Sequence, residues 1–300
     1  MRVLDRGGRA EARMLGSMSP GSPTITSRSN PRIVEVSRLR ERRQRERTGL
    51  TLIDGTRELL RALQSGAEVE TLYVLENGTD GPDSPYDGRD GAIEAVRREA
   101  KARGAEIVTV SRPVLERVAF GERAEGVVGV ARVPDLALDR ISLPENALVV
   151  VIESVEKPGN LGAVLRSADA VGAAGLVAAD ARTDIFNPNV IRASLGTVFS
   201  VPVASGSTPE TIAWLREHGL GIVTARVDAA ALYSDLDLRG PLAIVLGSEA
   251  HGLSDSWRGD DVTAAHLPMH GAADSLNVST TAAVLLYEAT RQRGLQERSI

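Results

Sequence analysis

The sequence predicts an α/β protein, with a smaller α/β unit in front of a larger one built on a mostly parallel sheet covered on both faces. Three observations carry this. Short apolar, β-branched runs recur at 147–152, 175–179, 221–225, 242–246 and 262–267, alternating with helical segments. The 300 residues suffice for about two domains, each long enough to bury a core. Between the two, Pro134 to Pro144 reads as a linker.

Residues 1–25, rich in Gly, Ser, Pro and Arg and without periodicity, read as a flexible basic arm. The front domain is expected over 26–133. It should hold a basic helix around Arg38–Arg47, a strand Leu50–Ile53, a helix Thr56–Ser65 and a strand Thr71–Leu75. A loop at Asn77–Gly88, a helix from Ala92 to Arg103 and strands Glu106–Val110 and Val127–Ala131 complete it. After the linker at 134–146, the second domain is expected over 147–296. It opens on the strand Ala147–Ile152; Pro158 and Gly159 then break the chain, and a helix follows with Leu161, Val164, Leu165, Ala168 and Val171 on its buried side. A last helix carries Val278, Ala282, Leu285, Leu286 and Ala289 at helical spacing. No internal repeat is visible.

Composition narrows the function classes. Without Cys there is no disulfide framework, thiol nucleophile or Cys-based zinc site. No apolar run approaches the ~18 residues that span a bilayer, and the first residues lack the apolar core of a signal peptide, so a cytoplasmic location is expected. No Gly-x-Gly-x-x-Gly follows a predicted strand, which argues against a dinucleotide site or a glycine-rich AdoMet loop. His266 and His270 are four apart, but Pro268 between them forbids a continuous helix, and no metal site is expected. The net charge of −5 hides an asymmetry: residues 1–47 hold 12 Arg against five acids, net +7, leaving −12 for the rest. Attraction to phosphate acts through local clusters, so Arg28, Arg32, Arg38, Arg40, Arg42 and Arg43 are the candidate footprint for a phosphate-bearing polyanion. A solvated helix laced by Glu41 and Glu46 is the competing reading.

Three segments carry candidate chemistry. After the 147–152 strand comes Glu153-Ser-Val-Glu-Lys157-Pro-Gly-Asn160 and, six residues on, Arg166, which falls off the apolar stripe of its helix. Read blandly, Arg166 pairs with Asp169 in solvent. After the 242–246 strand comes the Gly-bounded turn Gly247-Ser-Glu249-Ala-His-Gly252, whose glutamate could simply be exposed. After Leu267-Pro268 comes Ser275-Leu276-Asn277 at the start of the last helix, where unpaired N–H groups gather. Alone, that step is an ordinary cap.

In this order and spacing the three segments resemble the three motifs of the SpoU (TrmH-like) family of AdoMet-dependent RNA ribose 2′-O-methyltransferases, in the SPOUT superfamily. The likeness covers about residues 147–293. A weaker one, on Gly49–Leu60 and Glu125–Val130, is to the L30e-like substrate-binding domain often fused in front. The resemblance implies a trefoil-knotted C-terminal domain whose loops bind S-adenosyl-L-methionine mostly through backbone groups, at Thr224, Ala225, Leu246, Gly247, Gly252, Leu267, Pro268 and Leu276. It implies a catalytic set of Asn160, Arg166, Glu249, Ser275 and Asn277, a homodimer, and RNA as substrate, 23S rRNA before tRNA. The family's proposed base matches Arg166. Deprotonating a guanidinium near pH 7 costs at least about 7 kcal/mol, so Arg166 is read first as a clamp on phosphate and developing alkoxide and second as a base. A silent RNA-binding module and an α/β enzyme of unrelated chemistry are the other two classes.

Overall fold

The computed structural model describes residues 24–76, 90–120, 125–249 and 251–294. The arm expected over 1–25, but for its last two residues, and the loop expected over Asn77–Gly88 lie outside them. Two compact units divide the chain at Val133 and Pro134.

In chain order the front unit holds α1 (Pro31–Ser37), α2 (Arg42–Thr48), β1 (Leu50–Asp54), α3 (Thr56–Gln64), β2 (Val69–Leu75), α4 (Asp90–Ala102), β3 (Glu106–Val110), α5 (Arg112–Val118) and β4 (Val127–Arg132). Its sheet runs β1-β4-β2-β3, antiparallel except for the β2–β3 pair. Strands and helices here follow the predicted positions closely. Two differences stand out: the helix α5 was not expected, and the basic helix is broken, a 3-10 turn Arg38–Arg40 and an extended Glu41 (φ −87°, ψ 131°) separating α1 from α2. The buried Arg45 closes this corner, its Nη1 donating 2.8 Å hydrogen bonds to the carbonyls of Leu39 and Arg40. Satisfying orphan carbonyls in this way is tertiary chemistry that charge periodicity does not encode.

The second unit continues with β5 (Leu148–Glu153), α6 (Pro158–Ala170), β6 (Gly175–Ala179), α7 (Pro188–Ala193), α8 (Thr197–Ser200), β7 (Val203–Gly206), α9 (Thr208–Glu217), β8 (Gly221–Ala225), β9 (Ala231–Leu232), β10 (Leu242–Leu246), β11 (Val262–His266) and α10 (Val278–Gln292). Every strand pair in its sheet is parallel, in the order β7-β6-β5-β10-β8-β11-β9. Val149, Val151, Val177, Ala243 and Val245 pack on one face with Trp214 and Leu215 of α9. On the other face α6 packs against α7, α8 and α10. With both faces covered, the strands are apolar throughout rather than alternating. The stretch 134–146, read as a linker, carries the buried Ile141, and its Leu136 carbonyl accepts from Ser205 N at 2.8 Å, so it packs on the second unit.

The strand order decides where a ligand can sit. From β5 the chain moves outward through β6 and β7, then returns to place β10 on β5's other side, in register from Leu242↔Leu148 to Leu246↔Ile152. Loops leaving the carboxyl ends of β5 and β10 therefore diverge from a switch point, where open α/β sheets hold their ligands.

Candidate active site

Loop geometry at this switch point brings the three motif segments together. After β5, Ser154 adopts a left-handed turn (φ 53°) and Pro158 opens α6, presenting Lys157 and Asn160 at the helix entrance. After β10, Ser248 and Gly252 exchange two backbone hydrogen bonds of 3.1 and 2.9 Å, a pinched loop with Glu249 at its tip. The pinch needs both glycines: a Cβ on Gly247 would overlap the Gly252 backbone, and Gly252 itself is left-handed (φ 66°). At the entrance of α10, Asn277 caps the helix, its Oδ1 accepting from Ser279 N at 2.9 Å.

Glu249 ties these elements. Its Oε1 accepts from the side-chain amides of Asn160 (2.5 Å) and Asn277 (2.8 Å), and its Oε2 accepts from the Lys157 ammonium. Asn277 Nδ2 also reaches Asn160 Oδ1 at 3.3 Å. The Lys157 ammonium, helped by the Asn160 amide, holds the Glu249 carboxyl below the usual carboxylate range. Glu249 thereby fastens Asn160, and among the described residues no loop N–H is bonded to it. Lys157 was not singled out from the sequence, where a lysine before a Pro-Gly turn has no periodicity to mark it.

Beside this cluster opens a cleft of about 790 Å³, lined by the segments that follow β8, β10 and β11 and by the approach to α10. Of the expected cofactor positions, Ala225, Leu246, Gly247, Gly252, Leu267 and Leu276 line it, as do Glu249, Ser275 and Asn277. Two do not. Thr224 is fully buried within β8 with its hydroxyl toward the Thr263 carbonyl (3.4 Å), because side chains alternate along a strand and Ala225 is the residue that reaches the open side. Pro268 is exposed and turned off the cleft. Its size, and a wall that sets apolar side chains such as Leu246, Leu253, Leu267 and Leu276 beside polar ones such as Asp228, Ser275 and Asn277, suit a nucleoside-sized ligand. At the rim, Arg226 holds Asp228 in a two-pronged pair (2.9 and 3.2 Å) that Arg258 joins at 3.0 Å. Those two guanidinium groups keep the Asp228 carboxyl far below the usual range.

Arg166 is not drawn into the cluster. It is exposed on α6 and, among the described residues, makes no hydrogen bond or ion pair. Asp169, its partner in the bland reading, instead accepts from Ser200 Oγ at 2.7 Å. Exposed guanidinium and ordered Asn160 thus lie on the same helix, one free and one held. His251, which the second motif segment places within reach of a substrate, and His266 both line the cleft. Among the described residues no group of three His, Cys, Asp or Glu side chains converges as metal ligands would, and no helix is long and apolar enough to cross a membrane.

In the front unit the candidate RNA footprint divides. Arg38 and Arg43 are exposed, and their side chains make no hydrogen bond or ion pair among the described residues. Arg42 pairs with Glu46 at 2.7 Å, and Arg28 donates to the Pro113 carbonyl at 2.9 Å. Arg40 spans the end of α5, donating to the carbonyls of Arg117 (2.9 Å) and Ala119. Arg32 is a correction: only 13 % of its side chain is exposed, and it is committed to Glu106 and, at 3.0 Å, to the Tyr73 hydroxyl. Glu106 raises the Arg32 pKa further above the guanidinium range, while burial raises that of Tyr73. Charge counting marks such a residue as surface; its bonds to Glu106, Tyr73 and Thr71 make it part of the fold.

Comparison with known proteins agrees with this geometry. Residues 147–287 match the SpoU rRNA Methylase family, and residues 30–129 match the MRM3-like substrate binding domain. The chain is 34% identical over 292 residues to a 23S rRNA (uridine(2479)-2'-O)-methyltransferase of Streptomyces viridochromogenes, covering 94% of this chain and 96% of the relative. It is 31% identical over 275 residues to a 23S rRNA (adenosine(1067)-2'-O)-methyltransferase of Streptomyces laurentii, covering 89% and 95%. Among solved structures, an RNA 2'-O ribose methyltransferase superposes with a TM-score of 0.76 at 41% identity, covering 91% of this chain and 100% of that one. An AdoMet-bound rRNA methyltransferase from Sinorhizobium meliloti gives 0.80 at 27% identity, covering 92% and 99%.

Proposed function

This chain belongs to the SpoU family of rRNA methylases, and from that premise we propose that it methylates a ribose 2′-hydroxyl of 23S rRNA with S-adenosyl-L-methionine as methyl donor. The observation that carries the reading is the Glu249 carboxylate gathering Asn160 and Asn277 beside the cleft, one residue from each motif segment.

When bound, AdoMet supplies a methyl group already activated on a sulfonium; the chain has to place the acceptor and manage one proton. Ala225, Leu246, Gly247, Gly252, Leu267 and Leu276 would hold the donor from the cleft wall. Asn160 and Ser275 orient the ribose, and Glu249 and Asn277 fix Asn160. Orientation of this kind can supply on the order of 7–11 kcal/mol. Arg166, exposed and unpaired, closes on the target phosphate and stabilises the alkoxide as the 2′-proton leaves for solvent. The front unit, over 26–133, supplies RNA affinity; Arg38 and Arg43 carry the phosphate contacts that its folded part leaves open.

The catalytic domain, taken over 147–296, is read as trefoil-knotted and as a cytoplasmic homodimer. Exposed Tyr287 on α10, 56 % accessible, supports a partner on that helix. Light scattering at twice the 31.8 kDa of one chain would support the dimer, and a fully active monomer would exclude it. For the reaction itself, ribose-methylation mapping in rRNA and tRNA from cells with and without this protein is the test. One 23S site should disappear on deletion; an unchanged rRNA pattern with a lost tRNA site would overturn the rRNA assignment.

A further inference from the structure

We propose that Glu153 is a positioning residue for methyl transfer, holding Asn160 and Glu249 in register from beneath the site. The inference rests on the function proposed above. Glu153 ends β5, is 4 % exposed, and lines neither the cleft nor the smaller hollow under Asn160. With no cation bonded to it in the described residues, its carboxylate is met by three neutral donors. Oε2 accepts from Ser254 N at 2.7 Å, and Oε1 accepts from Ser254 Oγ at 2.6 Å and from Thr208 Oγ1 at 2.9 Å. A carboxylate buried among neutral donors is costly unless each bond is made, so its surroundings are held to narrow geometry.

Its partners show what that geometry serves. Ser254 is the exit of the pinched loop whose tip is Glu249; the loop's entrance is already fixed because Leu246 pairs with Ile152, one residue before Glu153. On its own strand, Glu153 is followed by the left-handed Ser154, whose N–H is held by the Ala179 carbonyl at 2.8 Å, and then by the segment that delivers Lys157 and Asn160. Thr208 adds the start of α9, which also bonds Asp180 Oδ2 through its N–H at 3.1 Å. One side chain therefore stands at the root of both segments whose tips meet in the Asn160–Glu249 hydrogen bond. Through Ser254 it sets how far the Glu249 loop leans toward α6.

Glu153→Gln keeps the shape but removes the charge and puts a donor where Oε1 accepts, so the Ser254 and Thr208 hydroxyls must reverse their direction or lose the bond. The full chain carrying Glu153→Gln, Ser254→Ala, Glu249→Ala, and each of the first two combined with the third, is assayed for single-turnover methyl transfer, RNA KM and thermal midpoint. Amide exchange over Ser248–Gly252 is followed without cofactor. Glu153→Gln should slow transfer at least about tenfold at unchanged RNA KM and speed exchange across the loop, because misplacement of a reacting group costs rate rather than affinity. It should slow transfer no further once Glu249 is Ala, the non-additivity of residues acting through one contact. A merely structural role predicts a lower thermal midpoint with wild-type transfer per folded molecule, or an undiminished effect in the Glu249→Ala background; either outcome overturns the proposal. Ser254→Ala, which keeps the backbone N–H bond, carries the same test if Glu153→Gln does not fold. Should the wild-type chain transfer no methyl group, the functional reading fails, and the exchange measurement alone decides whether Glu153 holds the loop.

Discussion

Asn277 Nδ2 donates a 2.8 Å hydrogen bond to Glu249 Oε1 while Asn277 Oδ1 caps α10 by accepting from Ser279 N at 2.9 Å. One side chain thus acts as acceptor for a helix end and donor to a carboxylate. A carboxamide provides both from fixed positions; an aspartate provides only acceptors, and a serine is too short to reach both. Helix entrance and motif loop are locked by this division of labour.

Asn277→Asp tests it directly. The cap survives, but two carboxylates then face each other, so methyl transfer should fall about 100-fold, the scale of a misplaced catalytic group, while the thermal midpoint moves little. Single-turnover rates and calorimetry measure the two effects. A variant as active as wild type would show that the Asn277–Glu249 bond does not serve the reaction.

Arg166 leads to a different expectation, because nothing among the described residues holds it. Arg166→Ala should lower turnover by about 10²–10³-fold, as loss of a transition-state donor does, with AdoMet affinity measured by titration calorimetry nearly unchanged. Arg166→Lys should recover part of the rate, since charge remains but the planar fork is lost. Weakened AdoMet binding with normal turnover would move Arg166 to the cofactor side.

The basic front segment separates into surface and scaffold. Neutralising Arg38 and Arg43 should flatten the dependence of log RNA affinity on log salt by about 0.7–0.9 for each phosphate that is no longer neutralised, leaving stability unchanged. Deleting residues 1–25 should flatten it further. Arg40→Ala should instead destabilise the front unit, because the α5 carbonyls of Arg117 and Ala119 lose their donor. Equal salt slopes for wild type and the double variant would mean that Arg38 and Arg43 are only solvated.

Glu288 steadies Gln292, the side chain that ties the last helix to the segment before β10. Its Oε1 accepts from Gln292 Nε2 at 2.7 Å, and Gln292 in turn bonds the Leu236 carbonyl and Leu238 N–H. Arg291, with Gln292, draws the Glu288 carboxyl down to about 2 from an ordinary 4.5. A pKa lowered by folding stabilises above the unfolded value and is lost as pH falls through the folded one. Glu288→Gln should therefore cost about 1 kcal/mol at pH 6, discounted for the exposed Arg291, and the difference should fade between pH 4.5 and 2. Thermal melts across that range are the check; a pH-independent difference would place the effect elsewhere.

The parallel strands of the second unit were legible because burial on both faces leaves them as unbroken apolar runs, as in Val149-Val150-Val151. Less visible were α5, α7, α8 and β7, segments of four to seven residues whose periodicity does not rise above their loops. At the site, the resemblance to the family's three motifs pointed to Asn160, Glu249 and Asn277, and the structure brings these together. Lys157 and Glu153 escaped notice, since their roles come from a strand order that joins β5 to β10 across some 90 residues of chain. Arg32 and Arg45 show the reverse error: in sequence they belong to a basic patch, in the fold to interior hydrogen bonding.

The most direct test of the account is methyl transfer by the purified full chain from methyl-labelled AdoMet to 23S rRNA, followed by nuclease digestion and mass spectrometry of the nucleosides. Label should appear in a 2′-O-methylated nucleoside at one site with wild-type protein and fall about 100-fold with Asn277→Asp. Label on a base instead of the ribose, or equal labelling by wild type and variant, would contradict it.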